Sequence, residues 1–158
     1  TGAENQICIT NGYGKVGSIT TSGQATAFNT SSDYRLKENV DYTWDATTRL
    51  KQLKPARFNF IVDADTTVDG FLAHEVATVV PEAITGTKDA MRDEEYEVTP
   101  AVLDDDGNVT TEAVMGTRSV PDYQGIDQSK LVPLLTAALQ EALAKIDAME
   151  TRLTALEG

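Results

Sequence analysis

The sequence contains one cysteine and one histidine in 158 residues, and this scarcity removes most kinds of catalytic and metal site. Cys8 alone cannot form an internal disulfide or a cysteine-based zinc site, so we expect a buried or otherwise unreactive thiol. A Ser-His-Asp triad would have to use His74. There is no Walker loop or dinucleotide-binding glycine pattern. The sequence therefore predicts no cofactor and no metal, and it disfavours an enzyme that acts on a separate substrate.

Basic residues are also scarce: 13 Lys and Arg stand against 25 Asp and Glu, which gives a formal net charge of −12. Such a field repels phosphate backbones and anionic lipids, so nucleic-acid and membrane-surface partners are disfavoured. No apolar run approaches the roughly 20 residues of a membrane-spanning helix. A hydrophobic fraction of 41% is nevertheless enough to supply a core. These values favour one ordinary domain with an appendage.

Charged residues are nearly absent from residues 1–32, where 18 of the 32 are Thr, Ser, Asn or Gly. Alternating segments at 6–10 and 15–20 predict β-strands, with turns at Asn11-Gly12 and Ser22-Gly23. Because this part has few large apolar residues, it cannot form a core alone. We expect the C-terminal end of a β-rich fibre whose partners lie upstream or on other chains. The glutamate and lysine of this part cancel, so the net negative charge belongs entirely to residues 33–158.

The remaining sequence is charged and mixed, which predicts a small α+β domain. Helical character is expected over 46–53, a strand over 57–62, a short helical segment before Pro81 and a short strand at 83–86.

Acidic residues dominate residues 89–106, which hold eight Asp or Glu and one Arg. We predict an exposed hairpin or excursion here. The run Asp104-Asp105-Asp106-Gly107 also allows a calcium loop, but such loops need acids at alternate positions and a more distant Glu than Glu112. A solvated turn is favoured.

The segment from about 129 to 157 carries the clearest structural pattern. Its apolar residues are spaced alternately by four and three, a heptad seam over three repeats, and Val132 extends it upstream. A self-associating coiled coil is favoured because the seam is narrow; an amphipathic helix packed on its own domain is the alternative. The seam consists of Leu135, Leu139, Ala142, Ile146, Met149, Leu153 and Leu156.

At the composition boundary, Ser32 and Lys37 could form a serine nucleophile and its base, since lysine can replace histidine in that role. Attack on the carbonyl of Ser31 passes through a five-membered ring but would break the bond before Ser32. Attack of Ser32 on its own carbonyl needs a strained four-membered ring. From these residues alone, a helix cap or turn is the more common role of such a Ser-Asp pair.

The same boundary resembles a known family. Residues 32–40, SDYRLKENV, resemble the opening of the C-terminal intramolecular chaperone domain of phage tailspikes, tail fibres and neck appendages, the endosialidase-type domain of peptidase family S74. Residues 70–76, GFLAHEV, resemble the family's GFIAQEV segment. Tyr123 and residues 130–135 match its closing part, which the heptad helix follows. The resemblance covers residues 32–157.

The resemblance implies a homotrimer that folds an upstream fibre or spike segment of the same chain and then cuts itself off between Ser32 and Asp33. Ser32 is the implied nucleophile and Lys37 the implied base; attack across the trimer would avoid the four-membered ring. The fibre part would remain in the virion tail and bind the host receptor, and assembly would take place in the host cytoplasm. The implied domains are 1–32 and 33–158.

Arg35 and Glu75 match the family motifs, and they and His74 are expected to support the site. Arg35 and Glu75 are expected to form an ion pair or cap that shapes it. His74 stands where many members have Gln, so a structural polar contact is favoured over proton transfer. An alternative function is a permanently retained trimeric fibre-tip adhesin that is not cleaved.

Overall fold

The computed structural model describes residues 4–157, apart from the side chain of residue 157. It divides into two compact units, Thr1–Trp44 and Asp45–Gly158. The strands are β1 Glu4–Asn11, β2 Gly14–Ser22, β3 Ala25–Thr30, β4 Ala56–Phe60, β5 Asp63–Gly70, β6 Ile84–Thr85, β7 Met91–Thr99, β8 Val102–Leu103, β9 Val109–Thr111, β10 Val114–Pro121 and β11 Gly125–Ile126. The helices are α1 Ala46–Leu50, α2 Ala73–Val76 and α3 Val132–Glu157.

The first unit contains an antiparallel three-stranded sheet in the order β1-β2-β3. Two tight turns connect its strands, and Gly14 (φ 94°) and Gly23 (φ 58°) adopt the left-handed conformations that favour glycine. Ile7 of β1 and Phe28 of β3 both pair with Ile19 of β2, so the three residues form one row across the sheet. Ile7 and Phe28 are exposed, and the only fully buried side chain described in this sheet is the small Ser18. The strands and turns predicted for residues 1–32 are confirmed, and the sheet has no apolar core of its own.

The second unit builds its strands as antiparallel pairs, β4 with β5, β6 with β11, β7 with β10 and β8 with β9. The longest pair, β7 with β10, runs from Met91↔Pro121 to Val114↔Thr99. The β8–β9 hairpin continues from it. The acidic segment therefore forms the exposed excursion that its composition predicts, because alternating charged side chains can remain in solvent on a two-stranded ribbon.

The core of the second unit lies between α1, the α2 segment and the beginning of α3. This core is small, and the fully buried apolar residues described in the unit all come from these segments or the residues next to them. They are Ala46, Val76, Val79, Val80, Ala83, Leu131, Leu134 and Ala138. The mixture of short strands and helices with a long C-terminal helix confirms the predicted α+β class.

Helix α3 uses two different faces. Leu134 and Ala138, with Leu131 of the 3-10 turn just before α3, are buried against the chain's own domain, and α3 packs on α1. The heptad seam occupies another face, and its members from Leu135 to Leu156 are exposed. The beginning of α3 thus packs on its own domain, whereas self-association through the exposed seam stays a prediction.

Several predicted boundaries were too long. The helix predicted over 46–53 ends as α1 at Leu50, and a turn leads to Pro55. The strand predicted over 57–62 ends at Phe60, because residues 61–62 form the turn into β5. The C-terminal helix begins with a 3-10 turn, Gln128–Leu131, capped by Asp127. The thiol of Cys8 is exposed, because the thin sheet provides no interior at that position, so the expectation of burial is wrong and that of an unreactive thiol stays a prediction.

Candidate functional site

The chain immediately before Ser32 is attached to the β-sheet. The backbone N–H of Ser31 donates to the carbonyl of Val16 (3.1 Å), and the Ser31 hydroxyl donates to the carbonyl of Lys15 (3.1 Å). These bonds extend the pairing of β3 with β2 by one residue. Ser32 is therefore the first residue beyond the sheet, and its preceding peptide is held in place.

The chain after Ser32 turns back at once. Tyr34–Leu36 form a single 3-10 turn, and Asp33 caps it by accepting the backbone N–H of Arg35 on its carboxylate (2.9 Å). The turn is closed by N–H groups of Leu36 and Lys37, which donate to the carbonyls of Asp33 and Tyr34 at 3.1 Å each. A short polar residue before such a turn is a common cap because its side chain satisfies a free N–H.

Asp33 is also held by the side chain of Arg35. The guanidinium Nε donates to Oδ1 at 3.0 Å and Nη2 donates to Oδ2 at 2.8 Å, a bidentate pair. The Arg35 side-chain bonds are the main reason why the pKa of Asp33 lies below its usual range, and the backbone N–H of Arg35 adds to the effect. Asp33 is thus anchored twice, by the backbone and by the side chain of the same residue.

The turn brings the two residues of the predicted dyad together. Nζ of Lys37 donates a hydrogen bond to Oγ of Ser32 at 2.8 Å across five residues of sequence. Both side chains are exposed in the single chain, as are all residues from 31 to 40. The bond between Ser32 and Asp33 therefore lies between an anchored strand end and a capped turn, with a serine hydroxyl and a lysine amine in contact beside it.

This arrangement has the parts of a serine nucleophile with a lysine base. A hydroxyl becomes nucleophilic when an adjacent base removes its proton, and a lysine can do so only as the neutral amine. Water stabilises the charged ammonium, whereas exclusion of water favours the amine. In the single chain, Lys37 makes the contact with Ser32 that the chemistry needs. Both side chains are exposed to water, however, so the environment that favours the neutral amine is missing.

His74 and Glu75 belong to α2, in the second compact unit. Glu75 forms an ion pair with Lys54 at 3.1 Å. His74 lies in the wall of an open cavity of about 450 Å³, which is also lined by Lys88, Tyr123 and the strand ends Met91 of β7 and Pro121 of β10. The supporting role of His74 and Glu75 in cleavage stays a prediction.

Sequence reasoning missed two anchoring residues, Ser31 and Glu141. The Glu141 carboxylate in α3 accepts the backbone N–H groups of Ala46 (2.8 Å) and Thr47 (3.1 Å), and also the Thr47 hydroxyl. It thereby caps α1 from 95 residues away. These bonds, the Thr47 hydroxyl first, lower the pKa of Glu141. Nothing in the local sequence marks either residue, because both partners are distant along the chain.

Within residues 4–157, no three His, Cys, Asp or Glu side chains are grouped as a metal site would require. At the acidic turn, the Asp104 carboxylate instead accepts backbone N–H groups of Asp106 (3.0 Å) and Asn108 (2.8 Å). Over the same described residues, no helix combines the length and apolar character needed to cross a membrane.

A comparison with known protein families finds a match that includes the segment of Ser32 and Lys37. Residues 32–85 match the family model described as the chaperone of endosialidase, peptidase S74. The match begins at Ser32 and ends with the last residue of β6, so it covers about a third of the chain. The resemblance stated above is confirmed for these residues, which carry that family's segment. No curated protein matches the chain.

This family match supports a chaperone role in the folding of a phage tail fibre, in association with an upstream fibre segment of the same chain. It also indicates a peptidase-type domain. The order of the parts agrees with that role, because the matched segment follows directly on a β-sheet that lacks its own core.

Proposed function

We propose that this chain is a self-cleaving intramolecular chaperone, which assembles three copies of a tail fibre and then separates from it between Ser32 and Asp33. The observation that carries the proposal is the 2.8 Å contact of Lys37 Nζ with Ser32 Oγ beside that bond. In this function Ser32 is the nucleophile and Lys37 the base. The released part would be residues 33–158, and the retained part would end at Ser32.

Self-association has support from the exposed surface of the single chain. The chain exposes 12930 Å², whereas a compact monomer of 17.0 kDa would expose about 7,700 Å². Large apolar side chains contribute at both ends, with Phe28 80% exposed in the sheet and Leu153 56% exposed in α3. Exposed apolar rows of this kind are typical of surfaces that are covered in an assembly.

In a trimer, attack between chains avoids the four-membered ring that Ser32 would need to attack its own carbonyl. If Ser32 of one chain attacks the carbonyl carbon of Ser32 in a neighbouring chain, the hydroxyl proton passes to the neutral amine of Lys37. The C–N bond to Asp33 then breaks, and its nitrogen takes the proton from Lys37. Water hydrolyses the resulting ester, which restores the attacking hydroxyl and leaves a carboxylate on Ser32 of the neighbouring chain as its new C-terminus. Every atom is accounted for with water as the only co-reactant.

Assembly before cleavage has a physical advantage. Intertwined β-strands make many non-local contacts, so they pair slowly and expose strand edges while they do so. A helix that associates first raises the local concentration of the chains. Removal of the helper afterwards makes unfolding effectively one-way, which is a form of kinetic stability.

The proposal is tested by the intact mass of the purified protein after folding. We expect a fragment that begins at Asp33, and we expect Ser32→Ala and Lys37→Ala to remain whole. Ser119→Ala is the control for the serine, because Ser119 is exposed on β10, away from the Ser32–Asp33 bond in sequence and outside the dyad. Lys51→Ala is the control for the lysine. An unmodified chain that stays uncleaved under folding conditions would favour the retained adhesin instead.

A further inference from the structure

The two members of the dyad are held from opposite sides of the bond between Ser32 and Asp33. Ser32 lies two residues beyond the end of β3, so its position depends on the sheet of residues 4–30. Lys37 follows the 3-10 turn, which lies on the other side of the bond. Their contact of 2.8 Å therefore depends on two separate local structures, one in each of the proposed products.

The end of β3 is paired regularly with β2. Asn29 stands opposite Ser18 and Thr30 opposite Gly17, and the register has no bulge from residue 25 to residue 30. The side-chain amide of Asn29 also donates to the hydroxyl of Thr20 on β2 at 2.9 Å. The strand is thus fixed to its neighbour up to the second residue before Ser32.

Ser31 continues this attachment by one residue through two hydrogen bonds. Its backbone N–H donates to the carbonyl of Val16, and its hydroxyl donates to the carbonyl of Lys15, both at 3.1 Å. Almost any residue could form the first bond, whereas the second requires a hydroxyl group. Because Ser31 is exposed, the second bond satisfies no buried group. Its effect is to fix the direction of the peptide that leads to Ser32.

Gly17 allows β2 and β3 to lie close together near this point. A methyl group added at Gly17 would lie 2.9 Å from the carbonyl oxygen of Asn29, which is closer than a Cβ can normally approach. The backbone oxygen cannot move aside without moving β3. Gly12, in the turn between β1 and β2, has open space around it. The two glycines therefore differ in whether a methyl group would displace β3.

The pairing of β3 with β2 and the contact of the dyad are linked through the peptide between Ser31 and Ser32. If β3 were unpaired, the bonds of Ser31 would be absent, and the Ser32 hydroxyl would spend less time beside Lys37. Small displacements of reacting groups reduce reaction rates strongly. A hydroxyl attached to an unpaired strand end is therefore expected to react slowly even where Lys37 is in place.

We infer that Ser31 is a positioning residue for the cleavage, and that cleavage requires β3 to be paired with β2. This inference rests on the cleavage proposed above and adds its regulation. The sheet orients the nucleophile and the following turn supplies the base, so a chain with an unpaired last strand would keep its chaperone part. The attacking hydroxyl and the attacked carbonyl both belong to Ser32 residues, so the requirement also holds for attack between chains.

The role of Ser31 is tested by the rate at which the Asp33 fragment appears in the full chain, followed by intact mass. We expect Ser31→Ala to slow cleavage by about tenfold, because the peptide before Ser32 loses its side-chain bond. Ser31→Thr keeps a hydroxyl in a residue that suits an extended strand, and it should react at about the unmodified rate. Sedimentation velocity should show the same assembly for both variants, since the side chain is exposed.

The requirement for strand pairing is tested by a pair of glycine variants in the same chain. Gly17→Ala pushes the carbonyl of Asn29 away and should slow cleavage by about tenfold or more. Gly12→Ala, the matched control in the same sheet, should leave the rate unchanged. Circular dichroism of the helical signal and sedimentation velocity verify that the second unit is folded and assembled in both variants.

The outcomes separate this inference from the proposed function. An unmodified chain that is never cleaved overturns the proposed function and this inference with it. A chain that is cleaved, while Ser31→Ala and Gly17→Ala react at the unmodified rate, overturns this inference alone. A Ser31→Thr chain as slow as Ser31→Ala overturns the positioning role of the hydroxyl, because the bond to Lys15 would then not explain the loss.

Discussion

At the scale of single residues, Asp33 and Arg35 pair within the turn that lies between Ser32 and Lys37. The bidentate pair fixes the first residue of the turn, and the turn returns Lys37 to Ser32. Arg35 does not contact Ser32 or Lys37 in any hydrogen bond described, so we regard it as a positioning residue. Loss of such positioning is costly for a reaction, because small displacements of reacting groups reduce rates strongly.

We predict that Arg35→Gln slows cleavage by about 10- to 100-fold without unfolding the chain. The turn would keep its backbone cap but lose the clamp on Asp33, so Lys37 would spend less time beside Ser32. Appearance of the Asp33 fragment by mass spectrometry measures the rate. Arg57→Gln is the matched control, since Arg57 is as exposed as Arg35 and also forms a bidentate pair, with Asp69 in the β4–β5 hairpin. Equal rates for the two variants would refute the positioning role.

At the scale of secondary-structure elements, Glu141 connects α1 to α3. A five-residue helix such as α1 cannot persist alone, since nucleation is unfavourable and short helices depend on tertiary contacts. The Glu141 carboxylate satisfies N–H groups at its first turn, while Asp45 accepts the N–H of Thr48 at 3.0 Å. The helix is thus held at its N-terminus by two carboxylates, one local and one distant.

We predict that Glu141→Gln lowers the melting temperature of the second unit by a few degrees, because an amide has one oxygen to accept bonds where the carboxylate has two. Glu112→Gln, at an exposed position that forms no hydrogen bond described here, is the control and should leave the melting temperature unchanged. Thermal unfolding followed by circular dichroism measures both. An equal melting temperature for the two variants would mean that the cap contributes nothing.

The same carboxylate predicts a direction for the pH dependence. The pKa of Glu141 is lowered in the folded chain, so its contribution is complete above the unfolded pKa of about 4.5. It is lost as the pH falls through the lower, folded value. The difference in melting temperature between the unmodified chain and Glu141→Gln should therefore be constant from pH 8 to 6 and shrink below about pH 4.5. A difference that shrinks between pH 8 and 6 would contradict this assignment.

At the scale of the whole molecule, the exposed seam of α3 and the exposed dyad belong to one proposal: assembly excludes water from Lys37 and so permits cleavage. We predict that Ile146→Asp gives a monomer and slows cleavage at least tenfold, because a carboxylate in the seam opposes association. Ala144→Asp, on the outward side of α3, is the control and should do neither. Sedimentation velocity and intact mass provide the two measurements. A monomeric Ile146→Asp chain that cleaves at the unmodified rate would show that cleavage does not depend on assembly.

The sequence by itself determined the features that depend on neighbours along the chain. Alternation and Gly-containing turns predicted β-strands in residues 1–32, the heptad spacing predicted α3, and the motif from residue 32 pointed to the family segment that the comparison confirmed. Ser32 and Lys37 were named as a pair because they stand close in sequence. Helix and strand ends were less well predicted, as at α1 and β4, since short elements end where tertiary contacts end.

Only the tertiary structure decided which residues meet from far apart and which face of each element is covered. The caps from Glu141 to α1 join residues 95 positions apart, and no local pattern encodes such a contact. Similarly, the sequence left open whether α3 packs on its domain or on other copies. The structure buries Leu131, Leu134 and Ala138 and leaves the seam exposed, because one helix has room for both stripes on different sides.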